Sequence, residues 1–419
     1  MVMKIFYSIT ILLFIVSEGI AQQTNIFFND TIPRLSISIN GQFDYGSNVA
    51  SNEFINKFIF GGEIDQQNKT NLYKNLGSRN TIGGDFNLSL KAEIPIDSFL
   101  GKTNFSFLIG IEHNEHFDGK FSSDLSKIIF DGNKPFAGKH ANISGTNFNY
   151  INYQQLNFGF INFKKSRQKT AREGAVFSII KAQEHQAIII PDGTLFTEQF
   201  GKQLEVDINY TYNSSDSTKK GIKAFNGIGI STDLFTEFYV KNNGKISIEI
   251  NDLGFIQWGK KSIQIEADTL LIYDGVEVDN VFDLNDSIIS SFSQDSLLDY
   301  VSTKKSKGGY AIALPTSINL NYQHTINSKW NASIGIKHRI LANYFPLIYS
   351  NIQYYITPKF IVQGNLLYGG YGKFNGGITI AKQFKDNFQL VVGTTHLGAF
   401  ILPSATYSNN GFLQLKVYF

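Results

Sequence analysis

Apolar and polar residues alternate with a period of two over long stretches of this sequence. In Leu35–Tyr45 the odd-numbered residues are apolar apart from Gly41, and the even-numbered residues are polar. This period places the two sets on opposite faces of a β-strand. Thr81–Ile94 and Asn104–Glu112 repeat the pattern, and the polar face of Thr81–Ile94 carries charged residues. Because a packed soluble core does not accept unpaired charge, the alternation favours a sheet with one wet face.

The composition agrees with strands that separate an apolar surface from a wet one. Aromatic residues make up 14% of the chain and charged residues only 17%, yet the mean hydropathy is −0.11. A barrel with a lipid-facing exterior and a wet lumen uses apolar and polar residues in nearly equal number. The formal net charge of +2 is too small to indicate a nucleic-acid partner.

A ladder of hairpins is predicted from Tyr310 to Phe419. Three similar turn-to-strand segments begin at Ser328, Pro358 and Asp386, and each places an aromatic residue directly after a tight turn. They recur every 28 to 30 residues, the length of one hairpin of two strands of about ten residues. The aromatic residues, Trp330, Phe360 and Phe388, are expected to form a girdle at a membrane interface.

The connections are of two kinds. Those preceding the three aromatic residues are tight, whereas Gly46–Asn80, His113–Phe148 and Thr269–Gly309 are long. Short turns on one rim and long loops on the other are typical of membrane barrels, with the long loops outside the cell. The sequence therefore predicts an all-β fold, a transmembrane antiparallel up-and-down barrel of about 14 strands (about 12 to 16) with short loop helices.

The N-terminus predicts export. Residues 1–21 have the pattern of a cleaved signal peptide, with Lys4, an apolar segment from Ile5 to Val16 and the small-residue site Gly19–Ala21. Residues 22–419 are then a single barrel domain. The sequence contains no cysteine, which excludes a disulfide framework, a thiolate metal site and acylation after the cleavage site.

The last strand is the most specific signal. Leu413, Leu415, Val417 and the terminal Phe419 share one face of an alternating segment. This segment resembles the C-terminal signal strand of bacterial outer-membrane proteins, so the resemblance implies membrane insertion by the barrel-assembly machinery. Together with the export signal it predicts location in the bacterial outer membrane, where lipid is the first partner.

Two loop segments are candidate helices. Ser122 or Ser123 can cap a helix in which Leu125, Ile128 and Ile129 share a face. Such a helix either closes the pore as a lid or plug, or lies on the rim to cover its own apolar face. The segment Asp286–Tyr300 in the longest loop allows the same two interpretations.

No motif indicates catalysis. Histidines at 113, 116 and 140 lie near acidic residues, but their irregular spacing in a predicted loop does not favour a metal site. There is no Gly-x-Ser-x-Gly elbow, and the Gly369–Gly372 stretch does not lead into a helix. We therefore expect neither an enzyme nor a bound cofactor.

Four segments carry a family resemblance, namely Gly132–Lys139, Tyr153–Phe160, the predicted turn Pro191–Thr194 and Asp252–Trp258. They resemble a family of Bacteroidota outer-membrane proteins of unknown function, related in architecture to the FadL-like long-chain fatty-acid transporters. The resemblance implies a barrel of about 14 strands with loop helices and no catalytic residue. The chain departs from those transporters at its N-terminus, because Gln22–Pro33 is too short for their plugging hatch.

Three functions follow as hypotheses. The first is a FadL-like transport or pore-type barrel for a hydrophobic or small solute. The second is a non-transporting accessory or scaffold barrel of a secretion or surface-display machine, with a protein partner. The third is a secreted soluble β-rich binding module.

Overall fold

A closed antiparallel β-barrel of 14 strands forms the body of the protein. The computed structural model describes residues 32–99, 101, 103–166, 169–241, 243–273 and 304–419. In order around the ring, the barrel strands are β1 (Ser36–Ser47), β2 (Asn80–Ile96), β3 (Phe105–Phe121), β5 (Thr146–Ser166), β6 (Lys169–Thr197), β8 (Gly227–Val240), β9 (Gly244–Trp258), β13 (Ser317–Thr325), β14 (Trp330–Arg339), β15 (Phe345–Thr357), β16 (Phe360–Gly370), β17 (Asn375–Phe384), β18 (Phe388–Thr394) and β19 (Ser408–Tyr418). The ring closes where β19 pairs with β1, and this confirms the predicted barrel and strand number.

Five further strands of the described residues lie at the rim with long loops. They are β4 (Lys139–Asn142), β7 (Leu204–Ser214), β10 (Ile263–Tyr273), β11 (Lys304–Lys307) and β12 (Ala311–Ala313). The 29-residue β6 runs past the barrel wall, where its second half pairs with β4 and β7, and β7 pairs in turn with β10. The barrel sheet therefore continues outward as an extension of its own hydrogen-bond ladder.

Four short helices lie in the described parts of the long connections. They are α1 (Asn52–Phe60), α2 (Gln66–Asn75), α3 (Ser123–Asp131) and α4 (Gly398–Ile401), and a 3-10 turn spans Lys134–Phe136. No helix among the described residues is long and apolar enough to cross a membrane. Side-chain oxygens of Ser51, Asp65 and Ser122 cap α1, α2 and α3 by accepting a hydrogen bond from the backbone three residues on.

The alternation seen in the sequence separates the two faces of the barrel wall. In β1, Ile37 and Ile39 are exposed on the outside, whereas Ser36 and Asn40 are buried inside. Outward apolar residues are exposed on the other strands as well, among them Leu90, Ile111, Ile179, Ile230, Leu320, Ile334, Ile352 and Ile380. The outer surface is thus largely apolar and the inner surface largely polar.

The short turns collect at one rim, as predicted. They connect β13 to β14, β15 to β16 and β17 to β18, and each is followed by one of the aromatic residues Trp330, Phe360 and Phe388 on the outer face. Trp330 packs on Tyr354 with ring centroids 4.6 Å apart, and Phe388 packs on Phe384 at 5.6 Å. The long connections leave from the opposite rim.

Two local predictions were wrong. The structure continues β3 to Phe121, so the residues from His113 to Asp118 lie on a strand and not in a loop. Pro191–Thr194 is not a turn either. It lies within β6, at an irregularity where the register with β7 shifts between Ile189 and Asp192. The signal peptide 1–21 and the candidate helix Asp286–Tyr300 lie outside the described residues.

Candidate functional site: the bridged lumen

Small polar side chains line most of the lumen. Asn157, Gln353, Gln363 and Thr379 are among the inward residues that are almost completely buried. Many of them are hydrogen-bonded across neighbouring strands, as in the bond from Gln353 Nε2 to Gln363 Oε1 at 2.9 Å. Side chains along a strand alternate between its two faces, so polar residues at every second position of each strand all lie inside.

A salt bridge joins opposite walls of the barrel. Arg339 Nη2 at the end of β14 lies 2.7 Å from Asp85 Oδ2 on β2, and six strands separate β2 from β14 in either direction around the ring. A circular barrel of this size, with strands about 4.8 Å apart and tilted by about 40°, is roughly 28 Å across. An arginine and an aspartate do not span that distance, so the cross-section is not circular at this level and the two walls approach each other.

A cluster of polar side chains surrounds this bridge. His116 on β3 lies between two carboxylates, with Nδ1 2.7 Å from Asp85 Oδ1 and Nε2 3.1 Å from Asp118 Oδ2. Asn343, in the connection after β14, donates to Asp118 Oδ1 from its backbone nitrogen at 2.9 Å and from its side chain at 2.6 Å. With both carboxylates ionised, both ring nitrogens donate, and Arg339 and the imidazolium balance the two negative charges.

Further contacts cross the mouth of the lumen at the rim with long loops. The guanidinium of Arg79, just before β2, lies 4.3 Å from the ring centroid of Phe345 on β15. Lys373, between β16 and β17, donates to Asn75 of α2 at 2.9 Å. Tyr371, from the same connection, packs against Gly83 so closely that an added Cβ on Gly83 would lie 2.3 Å from its ring. The start of β15 and the connection after β16 therefore meet β2 and the loop before it.

The first three helices pack together above this mouth. Phe130 of α3 contacts Phe54 and Phe58 of α1 edge to face, with ring centroids 5.0 and 6.0 Å apart. Lys69 and Tyr73 of α2 bind Asp131 at the end of α3 at 2.8 and 2.7 Å. These two hydrogen bonds lower the pKa of the Asp131 carboxyl, while partial burial and the nearby Asp131 raise the pKa of Tyr73. We call this assembly of α1, α2 and α3 the cap.

A second layer of charged side chains lies at the end of the lumen near the rim with short turns, called here the inner end. Glu93 Oε1 on β2 lies 3.4 Å from Lys416 Nζ on β19 and 3.7 Å from Arg172 Nη2 on β6. Glu237 pairs with Lys245 at 3.0 Å. Apolar side chains pack beside this layer in two buried clusters, one of Ile361, Ala381, Val391 and Phe412 and one of Leu108, Ile161, Phe163 and Val176.

A cavity of about 100 Å³ lies beside the bridge, since its lining residue Asp44 is paired in register with Asp85. Its wall comes mainly from β1 and from β13 to β19, with Glu237, Ser247 and Glu249 from β8 and β9. Asp44 and Lys337 face it from opposite parts of the wall. Lys337 precedes Arg339 by two residues on the same face of β14, and Gly46 and Tyr371 line the cavity near the long-loop rim, so the cavity extends alongside the bridge.

The residues predicted as a membrane-insertion signal lie on the outside of the barrel. Leu413, Leu415 and Val417 are half-buried on the outer face of β19, and the end residue Phe419 is 71% exposed. The inward positions between them belong to residues such as Gln414 and Lys416. Their role in insertion stays a prediction.

The predicted lid or plug helix forms as α3, but its packed face differs from the expected one. Leu125 and Ile128 are half-buried, and Ile129 is 52% exposed. Phe130 makes the aromatic contacts with α1, and Ser126 is the buried residue of the helix. Periodicity alone did not identify this face, because a nine-residue helix is covered on whichever side its neighbours approach. Its action as a lid stays a prediction.

The bridge residues were not found from the sequence. Asp85 was placed on the polar face of its strand, but Arg339 and His116 were given no role. In the parts of the chain that the structure describes, no group of three His, Asp or Glu side chains is placed to hold a metal ion. The sequence feature that could have identified the bridge residues is the presence of charged residues at inward positions near the ends of the strands.

The sequence matches one protein-family model, described as a family of unknown function (DUF5723), over residues 28–395. This chain belongs to that family. The match covers most of the barrel and confirms the resemblance to an unknown-function family. No curated protein matches the sequence.

Several solved structures are similar to this DUF5723 barrel. The Pseudomonas putida toluene transporter TodX shares 10% identity, with 94% of this chain and 90% of that chain covered and a TM-score of 0.39. A TodX deletion mutant, described as a monoaromatic hydrocarbon channel, shares 9% identity, with 96% of this chain and 95% of that chain covered and a TM-score of 0.43. A Pseudomonas aeruginosa FadL homologue shares 8% identity, with 92% of this chain and 89% of that chain covered and a TM-score of 0.38. All three TM-scores are below 0.5, so these similarities establish no shared substrate or mechanism.

Proposed function

We propose that this DUF5723 protein is a bacterial outer-membrane barrel that passes small polar solutes through a gated lumen. The apolar outer surface supports the location. Exposed leucine and isoleucine side chains around a whole barrel are unfavourable in water and favourable in lipid. The rim with long loops then faces outside the cell and the rim with short turns faces the periplasm.

The observation that carries the gate is the Asp85–Arg339 bridge across the lumen. With the bridge formed, the opposite walls touch and a solute has no straight path between β2 and β14. The lining on either side of the bridge is polar, so the lumen suits hydrated solutes better than hydrocarbon chains. This favours a small polar solute over a hydrophobic one.

The energetics of the bridge suit a gate that is mostly closed. Separating a buried ion pair without new partners costs about 3 to 5 kcal/mol, although water entering an opened lumen would recover part of this. A net cost of about 3 kcal/mol leaves the open state populated at below about 1%. A solute that interacts better with the open state would raise that population.

Planar-bilayer recording of the purified protein tests the gate. We expect rare, brief openings from the native protein and an open probability at least about tenfold higher in Arg339→Ala and in Asp85→Asn, since each loses the pair. The matched control is Lys359→Ala. It removes an ion pair of similar length, 2.8 Å to Asp386, at an exposed turn of the opposite rim. Its open probability should equal that of the native protein.

Silence from the native protein and from both lumen variants, with all of them folded and inserted, would refute transport. Folding is checked by the heat-dependent shift of barrel mobility in detergent gels. Membrane location is tested separately by fractionation. Extraction of the protein from membranes by salt or urea would support a soluble secreted module instead.

A non-transporting scaffold barrel is the second candidate, and the sheet extension favours it. Leu270 and Ile272 of β10 and Phe200 in the β6–β7 connection are exposed beyond the barrel. Apolar residues on an outer extension suit a protein partner, such as a component of a secretion or surface-display machine. Silent lumen variants together with co-purification of a partner, lost in Leu270→Glu, would support this candidate.

A further inference from the structure

We propose that the lumen cavity binds a small zwitterion of the size of glycine or alanine. The proposal rests on the proposed function and names the substrate class of the same lumen. It is carried by the unpaired charges, the unpartnered polar atoms and the volume of the cavity.

Charges of both signs line the cavity without a partner in the part of the chain that the structure describes. Several other lumen cations have an acidic partner, as Lys91 has in Glu112 at 2.9 Å and Lys245 in Glu237 at 3.0 Å. In contrast, neither Lys337 nor Asp44 has an ion-pair or hydrogen-bond partner among the residues that the structure describes, although both line the cavity. Buried or half-buried charges normally have partners, so these two groups are available to a ligand.

Two further residues that line the cavity carry polar atoms without a partner among the described residues. Asn321 and Tyr371 line the cavity and are 3% and 5% exposed. Within the described part of the chain, Asn321 Oδ1 and the Tyr371 hydroxyl have no hydrogen-bond partner. An amide oxygen accepts from an ammonium group, and a phenol donates to a carboxylate. Each unmet group costs about 1 to 3 kcal/mol when no water or ligand satisfies it.

The arrangement of these groups matches a zwitterion better than a simple ion. Asp44 and Asn321 offer acceptors for an ammonium group, and Glu249 adds a second carboxylate that is bound to Asn319 at 3.3 Å. Lys337 and Tyr371 offer a charge and a donor for a carboxylate. A simple anion would be repelled by the two carboxylates, and a simple cation would be repelled by Lys337.

The volume limits the size of the solute. A cavity of about 150 Å³ holds benzene, so the observed 100 Å³ suits about four to six non-hydrogen atoms. Glycine and alanine fall in this range, whereas sugars and fatty acids do not. The rings of Tyr344 and Tyr349 and the side chain of Phe412 border the space and set this limit.

Equilibrium dialysis of full-length protein in detergent micelles with radiolabelled alanine tests the proposal. We expect saturable binding of alanine. Propionate and ethylammonium should bind to the same site at least about tenfold more weakly, since each lacks one charged contact. Lys337→Met and Asp44→Asn should each weaken binding by about tenfold or more. The control, Lys382→Met, removes an outward lysine that lies over the Phe360 ring, and should leave binding within about twofold.

Each other outcome overturns the proposal. They are absence of saturable alanine binding by folded native protein, equal competition by propionate or ethylammonium, and equal loss of binding in Lys382→Met. Because binding in micelles needs no transport, the two proposals fail separately. Gated conductance without alanine binding refutes the zwitterion site alone. Alanine binding in a barrel whose gate variants stay silent refutes transport alone.

Discussion

Truncation of Phe130 to alanine should loosen the cap without affecting the barrel. Phe130 holds α3 against α1 through two edge-to-face contacts, with Phe54 and Phe58. A fully buried phenylalanine costs about 3 to 5 kcal/mol when truncated to alanine, and the aromatic pairs contribute about 0.5 to 1.5 kcal/mol each. Because Phe130 is only partly buried, we expect a loss of about 2 kcal/mol.

Hydrogen exchange followed by mass spectrometry measures this loss where it occurs. A loss of about 2 kcal/mol raises the opening equilibrium of the cap about 30-fold, so amides in α1 to α3 should exchange about 30 times faster. Amides in the barrel strands should keep their protection, because the ladder hydrogen bonds between strands do not depend on the contacts of Phe130 with α1.

The neighbouring residue provides the matched control. Ile129 is on the same helix, is about half exposed and makes none of these ring contacts, so Ile129→Ala should change exchange by no more than about twofold. Equal acceleration by the two variants, or faster exchange in Ile129→Ala, would refute the assignment of the packed face. Acceleration that spreads into β2 and β3 would refute the independence of cap and barrel.

Three further predictions concern the cap, the mouth and the outer wall. The pKa of Asp131 is lowered in the folded protein, so its contribution to the stability of the cap is complete above its unfolded pKa of about 3.9 and is lost as the pH falls through the lower folded value. Limited proteolysis of α2 and α3 should therefore accelerate in acid, and Asp131→Asn should be cleaved faster at pH 7. Gly83→Ala places a Cβ against the ring of Tyr371 and should cost about 1 to 3 kcal/mol, seen as a lower Tm, and an unchanged Tm would contradict the close contact. Ile334→Arg on the outer face should lower the free energy of unfolding from bilayers by about 2 to 4 kcal/mol, whereas a barrel surrounded by water would lose almost nothing in urea titrations.

The faces of the barrel wall were predictable from local sequence. A strand has only two faces, so a period of two in Leu35–Tyr45 or Leu413–Phe419 is enough to separate the inner from the outer side chains. The tight turns before Trp330, Phe360 and Phe388 also fixed the direction of the ladder, because adjacent antiparallel strands need only a short connection. These inferences depend on neighbours in the chain.

The ends of the predicted strands were harder to place. β3 continues through His113 to Phe121, although its charged residues suggested a loop. Those charges are accommodated because the interior supplies partners, such as Asp85 for His116. Polarity thus distinguished the wet face from the dry one, but not a strand from a loop.

Only the tertiary structure decided how the lumen is closed. Asp85 and Arg339 lie 254 positions apart, and nothing local to either residue indicates the other. They meet because a closed ring of 14 strands places β2 opposite β14 and the connection after β14 leans inward. The sequence determines which side chains face the interior; ring closure and loop inclination determine which of them touch, because both depend on all the strands at once.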